Sequence, residues 1–178
     1  MTISFLIDKC QQKDPHYQKE LVVRYSPMLL TVSRRYSKDE ATARDILQDS
    51  LIKILRAIGT YQHTGSFEAW MRRITINTAL QSFDKKCFKN EVYGMEQMPE
   101  RAIVPDVYSQ LGAEELMALI NQLPEGYRQV FNLSVVEGYS HKEIGELLDI
   151  GESTSRSQLQ RARKLLQQQL LKREKIRV

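Results

Sequence analysis

Apolar residues in this chain recur at three- and four-residue steps almost from end to end, and nowhere do they alternate with polar ones as a half-buried strand requires. Over 17–37 the recurrence runs through Tyr17, Leu21, Arg24/Tyr25, Met28 and Val32, with Pro27 inside it, which predicts a kink or break just before the proline. Asp39 is placed to cap a helix carrying Ala43, Ile46, Leu47, Leu51, Ile54 and Leu55, which Gly59 ends. After the polar loop Tyr61-Gln62-His63-Thr64-Gly65, Ser66 caps a helix through Phe67, Trp70, Met71, Ile74, Ile76 and Leu80, to about residue 87. From Asn90 to about Val107 the period fails among Gly94, Pro99, Pro105 and acidic residues, the signature of a linker. It resumes at Leu111, Leu116, Leu119 and Ile120. Leu123-Pro124-Glu125 is a turn with proline at a helix start, and Val130, Phe131, Leu133 and Val136 carry a helix that Gly138 stops. The expected fold is all-α: two small helical domains, 1–89 and 111–178, joined by a flexible acidic linker at 90–110.

Charge divides the chain differently. Residues 1–90 hold 15 Lys/Arg against 9 Asp/Glu, residues 91–151 hold 3 against 11, and residues 152–178 hold 8 against 2. Two basic blocks flank an acidic one, which suits a polyanion gripped at two places; the plain alternative is a set of solvated helix faces. With 42% hydrophobic residues there is material for a core, but no apolar run approaches the roughly 20 residues that span a bilayer. The start, MTISFLIDKC, carries Asp8 and Lys9 where a secretory signal needs a longer apolar region. Cys10 and Cys87 form no CxxC, so a reduced, cytoplasmic protein is the simplest expectation. His16, His63 and His141 have no metal-ligand spacing. No nucleophile–base pair or Gly-rich phosphate loop stands out, so neither an enzyme, a cofactor, a metal nor a small-molecule substrate is expected.

Near the C-terminus, Ser140-His141-Lys142-Glu143 is a capping box opening a short helix with Ile144, Leu147 and Leu148 inward. Asp149-Ile150-Gly151 makes a tight turn. A second helix follows to about Lys172, with Leu159, Ala162, Leu165/Leu166 and Leu170 inward and Arg156, Ser157, Gln160, Arg161 and Lys164 outward. A short helix, a glycine-containing turn and a basic-faced helix make the helix-turn-helix pattern, in which the second helix enters the major groove. Arginine can bind guanine there, and glutamine adenine, through paired hydrogen bonds. A helical hairpin with a solvated basic face is the alternative.

In the N-terminal half, Tyr61, Phe67 and Trp70 surround one loop and the helix it enters, followed by Arg72, Arg73, Lys85, Lys86 and Lys89. Rings that stack on bases beside cations that hold phosphate are what an opened single strand needs. Phe67, Trp70 and Ile74 also fall at core spacing, whereas Tyr61, in the loop and off the apolar stripe, is the better stacking candidate; Asn77 is a surface residue or a base-edge reader. Asp45, Gln48 and Asp49 share one helix face, opposite the apolar stripe, which suits a basic protein partner or plain solvent.

In order and separation these pieces resemble the extracytoplasmic-function (ECF, group IV) sigma factors of bacterial RNA polymerase. ARDILQDSLIK at 43–53 resembles that family's region 2, and GSFEAWMRRITIN at 65–77 its promoter-melting segment. LPEGYRQVF at 123–131 with EGYSHKEI at 137–144 resembles the start of its region 4, and RSQLQRAR at 156–163 its recognition helix. The resemblance implies a promoter-specificity subunit that binds core RNA polymerase (β′ and β subunits) and promoter DNA, and an anti-sigma factor as a further partner. By resemblance, Asp45, Gln48 and Asp49 fall where sigma factors meet the β′ clamp helices. Tyr61 falls in the loop that captures a flipped base of the −10 element, with Phe67, Trp70, Arg72, Arg73 and Asn77 around it. Arg156, Ser157, Gln160, Arg161 and Lys164 fall where the −35 element is read. Arg44 stands where the family usually has glutamate, Ser50-Leu51 replaces a more apolar pair with an aromatic, and Ser155 replaces a usual valine. An ordinary helix-turn-helix regulator acting on duplex DNA is the alternative function.

Overall fold

The computed structural model describes residues 2–81 and 112–177, and all regular structure among them is helical. The chain divides between residues 83 and 84 into two units. The expected linker at 90–110, Lys85, Lys86, Cys87 and Lys89 lie outside the described residues.

The first unit comprises α1 (Ile3–Gln11), α2 (Pro15–Tyr36), α3 (Glu40–Ala57) and α4 (Phe67–Gln81). Helix α1 was not anticipated from the sequence: nine residues hold too little of the period to stand out, yet Leu6, Ile7 and Cys10 are wholly buried. Burial raises the Cys10 thiol above its ordinary range, with Asp14 and Glu20 adding to it. Each later helix starts on a side-chain cap. Asp14 accepts from the His16 amide at 3.0 Å, Asp39 from Thr42 at 2.7 Å, and Ser66 Oγ from Ala69 at 3.3 Å. The expected break at Pro27 is absent, and α2 runs unbroken from Pro15 to Tyr36. Its buried face of Leu21, Tyr25, Leu29, Val32 and Tyr36 packs on both sides of the proline, while Pro27 itself and Val23 face solvent. A missing backbone donor is tolerable on that side, because water can replace it. Helices α2, α3 and α4 pack pairwise, and a core of Leu21, Tyr25, Leu29, Ile54, Ile58 and Met71 closes under α1.

The second unit comprises α5 (Ala113–Asn121), α6 (Glu125–Phe131), α7 (His141–Leu148) and α8 (Glu152–Arg177). Its core joins Leu119, Leu133, Ile144, Leu148, Leu159, Ala162, Leu166 and Leu170, the last four being members of the inward stripe predicted for α8. One assignment fails. Val136 was expected on the buried face of a helix ended by Gly138, but α6 passes into a π turn over Asn132–Val136. The wider turn rotates the register, so Leu133 stays buried while Val135 and Val136 are 47% and 37% exposed. Gly138 then turns the chain at φ +79°, where a side chain would be strained.

Candidate polymerase and nucleic-acid interfaces

Three exposed surfaces carry the predicted residues. On α3, the buried stripe of Ala43, Ile46, Ser50 and Ile54 leaves Asp45, Gln48 and Asp49 together on the solvent side. Ile52, 41% exposed, continues that face one turn on, an apolar residue that the acidic pattern alone did not single out. The departures from the family pattern are absorbed locally. Arg44 pairs with Glu40 at 3.4 Å, and Ser50, wholly buried, donates its hydroxyl to the Ile46 carbonyl at 2.6 Å. Glu40 also takes two hydrogen bonds from the Arg34 guanidinium, at 2.8 and 2.7 Å, and this pairing holds its carboxyl down to about 2.

The second surface surrounds the loop between α3 and α4, and here one expectation is corrected. Tyr61 is not a free loop aromatic: it is 7% exposed and belongs to the core. Its ring lies 5.0 Å from Phe67 and 5.4 Å from Trp70, and its hydroxyl donates to the Gly65 carbonyl at 2.9 Å. Phe67 stacks on Trp70 at 5.5 Å and meets Tyr25 edge-on at 5.8 Å. Sequence periodicity missed this because Tyr61 precedes α4 and reaches the core from a loop, off any helical stripe. The exposed part of the loop is instead Gln62–Ser66, shaped by left-handed backbone at His63 (φ 57°) and Gly65 (φ +83°). Trp70 is half-buried at its edge, Arg73 is exposed, and Arg72 and Asn77 are half-buried on α4. The Asn77 Oδ1 is buried without a hydrogen-bond partner.

The third surface is the α7–α8 pair. The capping box forms: Ser140 Oγ accepts from the Glu143 amide at 3.3 Å while the Glu143 carboxylate accepts from the Ser140 amide at 2.8 Å. Asp149 takes the left-handed conformation (φ 58°) that ends α7, and α8 begins three residues later. Two further residues fix the pair. A Cβ on Gly145 would lie 2.8 Å from the Ile150 carbonyl oxygen, so only glycine lets the turn fold back on α7. Ser155, wholly buried in place of the family's usual valine, has its Oγ 2.9 Å from His141 Nδ1, a hydrogen bond joining the start of α7 to α8. Outward on α8, Arg156 and Gln160 are exposed and Ser157, Arg161 and Lys164 half-buried. Arg156 is ion-paired with Glu152 one turn earlier, and the Ser157 hydroxyl donates to the Thr154 carbonyl at 3.0 Å. Gly145 and the Ser155–His141 bond were missed because neither glycine inside a helix nor serine in place of valine announces a tertiary contact.

One helical unit thus ends in a helix-turn-helix pair, and the other carries a capped acidic face and an aromatic-backed loop. Residues 21–86 match the sigma-70 region 2 family and residues 113–166 the sigma-70 region 4 family. The chain is 32% identical to the ECF RNA polymerase sigma factor SigE of Mycolicibacterium smegmatis over 86% of its own length, spanning 61% of that relative. It is 28% identical to the RNA polymerase sigma-H factor of Pseudomonas aeruginosa, covering 93% of this chain and 92% of that protein. The sigma factor RpoE of Bartonella quintana, solved in complex with the anti-sigma factor NepR, shares the fold at TM-score 0.53 and 23% identity, over 86% of this chain and 96% of that one. The chain belongs to the ECF sigma factors, the subunits that direct RNA polymerase to promoters. No helix among the described residues is long and apolar enough to cross a membrane.

Proposed function

We propose that each of the three surfaces performs one step of promoter opening by the polymerase holoenzyme. The α3 face of Asp45, Gln48 and Asp49, extended by Ile52, docks on a basic-and-apolar surface of core polymerase, by family analogy the β′ clamp helices, with further contact to β. In this reading Arg156 and Gln160 at the start of α8 meet base edges of the −35 element, while Ser157, Arg161 and Lys164 serve toward sugar and phosphate. The exposed loop 62–66 with Trp70, Arg72, Arg73 and Asn77 holds a displaced strand of the −10 element. Tyr61 and Phe67 serve by building the shelf beneath that loop rather than by presenting a free ring. Binding the open strand offsets the few kcal/mol of unstacking one base. The chain itself performs no chemistry in this scheme. An anti-sigma factor is a further partner, since the sigma factor of B. quintana was solved with one bound.

The observation that carries this reading is the coexistence, in one chain, of a helix start that exposes Arg156 and Gln160 and an aromatic-backed loop next to exposed Arg73. Duplex recognition alone needs only the first. Run-off transcription by core polymerase with and without the protein tests it, alongside pull-down of core by Asp45→Ala/Gln48→Ala. Promoter-dependent transcripts that vanish without the protein, and weakened capture of core by the double variant, are expected. Tight duplex binding without any effect on core would identify an ordinary helix-turn-helix regulator instead.

A further inference from the structure

Helix α1 precedes both family matches, the first of which begins at residue 21, yet its side chains are tied to the loop between α3 and α4. The Gln11 side-chain amide donates two hydrogen bonds, to the Ile58 and Tyr61 carbonyls, both at 3.1 Å, across 47 and 50 residues of sequence. These carbonyls bracket the 3-10 turn Ile58–Thr60 from which the loop departs, and Ile58 O also accepts from the Tyr61 amide at 3.2 Å. Asp8, one turn before Gln11, has its carboxylate 3.4 Å from His63 Nε2, at the left-handed residue of the same loop. Gln11 is itself held stiffly. Leu6, Ile7 and Cys10 anchor α1 in the core, and the turn beyond it closes through Lys13 (φ 61°), whose amide donates to Cys10 O at 3.0 Å, and Asp14, whose amide donates to Lys9 O at 3.2 Å.

We infer that Gln11 is a positioning residue for promoter opening: α1 is a strut that preorders the strand-capture loop, so that capturing a base need not first order the loop. The inference rests on the reading that this loop holds the displaced strand. The physical reason is preorganisation. A loop that is ordered only on binding subtracts its ordering entropy from the affinity for the opened strand, and a loop held beforehand does not. Gln11 suits the task because one amide supplies two donors to two carbonyls, while its carbonyl oxygen asks nothing of the loop. Gln11 bonds to backbone carbonyls of the loop, so it governs how well any base is held, and base identity is left to side chains above it.

The test uses holoenzyme reconstituted from core polymerase and full-length Gln11→Met or Gln11→Glu, two near-isosteric changes that remove the donors. Permanganate reactivity of the −10 region is read on linear duplex and on a pre-melted bubble, beside thermal unfolding and core affinity. Arg72→Ala/Arg73→Ala serves as the loop-side control. Open complex on duplex should fall about tenfold with either Gln11 variant, of the order of two lost hydrogen bonds. Most of the loss should be restored on the bubble, with core affinity retained. Wild-type opening by both Gln11 variants, with a defect in the arginine double variant, overturns the strut alone. Equal losses on duplex and bubble that track lowered thermal stability also overturn it, since the role is then only structural. Wild-type opening by the arginine double variant overturns the strand-capture reading, and the strut with it.

Discussion

The two units bury different kinds of polar side chain. In the first, four buried hydroxyls return their donor to their own helix, Ser33 to Leu29 O at 2.9 Å, Ser50 to Ile46 O at 2.6 Å, Thr75 to Met71 O at 3.1 Å and Thr78 to Ile74 O at 2.8 Å, while the Tyr25 hydroxyl and Asn77 Oδ1 are buried without a hydrogen-bond partner. In the second, beside Ser155, the buried polar side chains are longer. Arg128 is 5% exposed, Gln129 1%, Asn132 0% and Gln158 1%, and Arg128, Gln129 and Gln158 each keep at least one buried polar atom without a hydrogen-bond partner. Arg128 Nη1 donates to Asn121 O at 3.3 Å while its Nε and Nη2 stay unpaired, and burial lowers its pKa despite the nearby Glu125. A hydroxyl is satisfied by the carbonyl one turn back, whatever packs around it. An amide or guanidinium needs partners from other helices, and an unsatisfied atom costs about 1–3 kcal/mol. Among the described residues, the helix-turn-helix unit therefore buries more long side chains that depend on partners from other helices, and the loop-bearing unit more hydroxyls that do not.

The largest effect should come from the aromatic shelf. Tyr61→Ala removes a buried ring in contact with Phe67 and Trp70 and should cost about 3–5 kcal/mol in denaturant unfolding of the first unit. Tyr61→Phe, losing only the hydroxyl bond to Gly65, should cost about 1 kcal/mol. A Tyr61→Ala protein of wild-type stability would show that the ring is not part of the core.

A smaller change of opposite sign is expected in the second unit. Gln129→Met or Gln158→Met replaces an amide whose buried oxygen has no hydrogen-bond partner by an apolar chain of similar shape and should stabilise by up to about 1–3 kcal/mol. Ser50→Ala or Thr75→Ala in the first unit should give no such gain. Equal gains in both units would erase the difference between the two interiors.

At the surface the units should part company by function rather than stability. Arg156→Ala should leave unfolding within about 0.5 kcal/mol of the parent. It should relax preference at one base step by about 1–3 kcal/mol in binding to −35 variants. Equal weakening of every sequence would assign Arg156 to phosphate.

The smallest effect is electrostatic and confined to the first unit. Glu40, held down to about 2 by Arg34 and Arg44, should stay ionised well below the usual carboxylate range in a carboxyl NMR titration. Because its folded pKa lies below its unfolded value near 4.5, what it adds to stability is present above about pH 4.5 and lost as pH falls toward 2. Arg34→Gln should return the Glu40 titration toward the ordinary range, and an unmoved titration would assign the shift to another cause.

Most of the architecture was legible in the chain because it is local. Periods of three and four residues, Asp39 and Ser66 at helix starts, the Ser140–Glu143 box and the turn at Asp149 each act within a few residues of themselves. The two basic surfaces and the acidic face of α3 could be read for the same reason, as helical spacing alone says which residues share a side. Tertiary structure decided the rest. Whether Tyr61 faces solvent depends on the Phe67 and Trp70 rings that α4 brings to it. Whether Gln11 holds a loop depends on carbonyls about 50 residues away in sequence. Gly145 matters through the Ile150 carbonyl of a folded turn, and Ser155 through His141 of the preceding helix. Pro27 leaves α2 unbroken because a buried face packs on both sides of it, and Val136 reaches solvent because a π turn shifts its register. Periodicity records which side of a helix is apolar; it does not record what the fold places against that side, and that neighbour is what turns a loop tyrosine into core and a terminal glutamine into a strut.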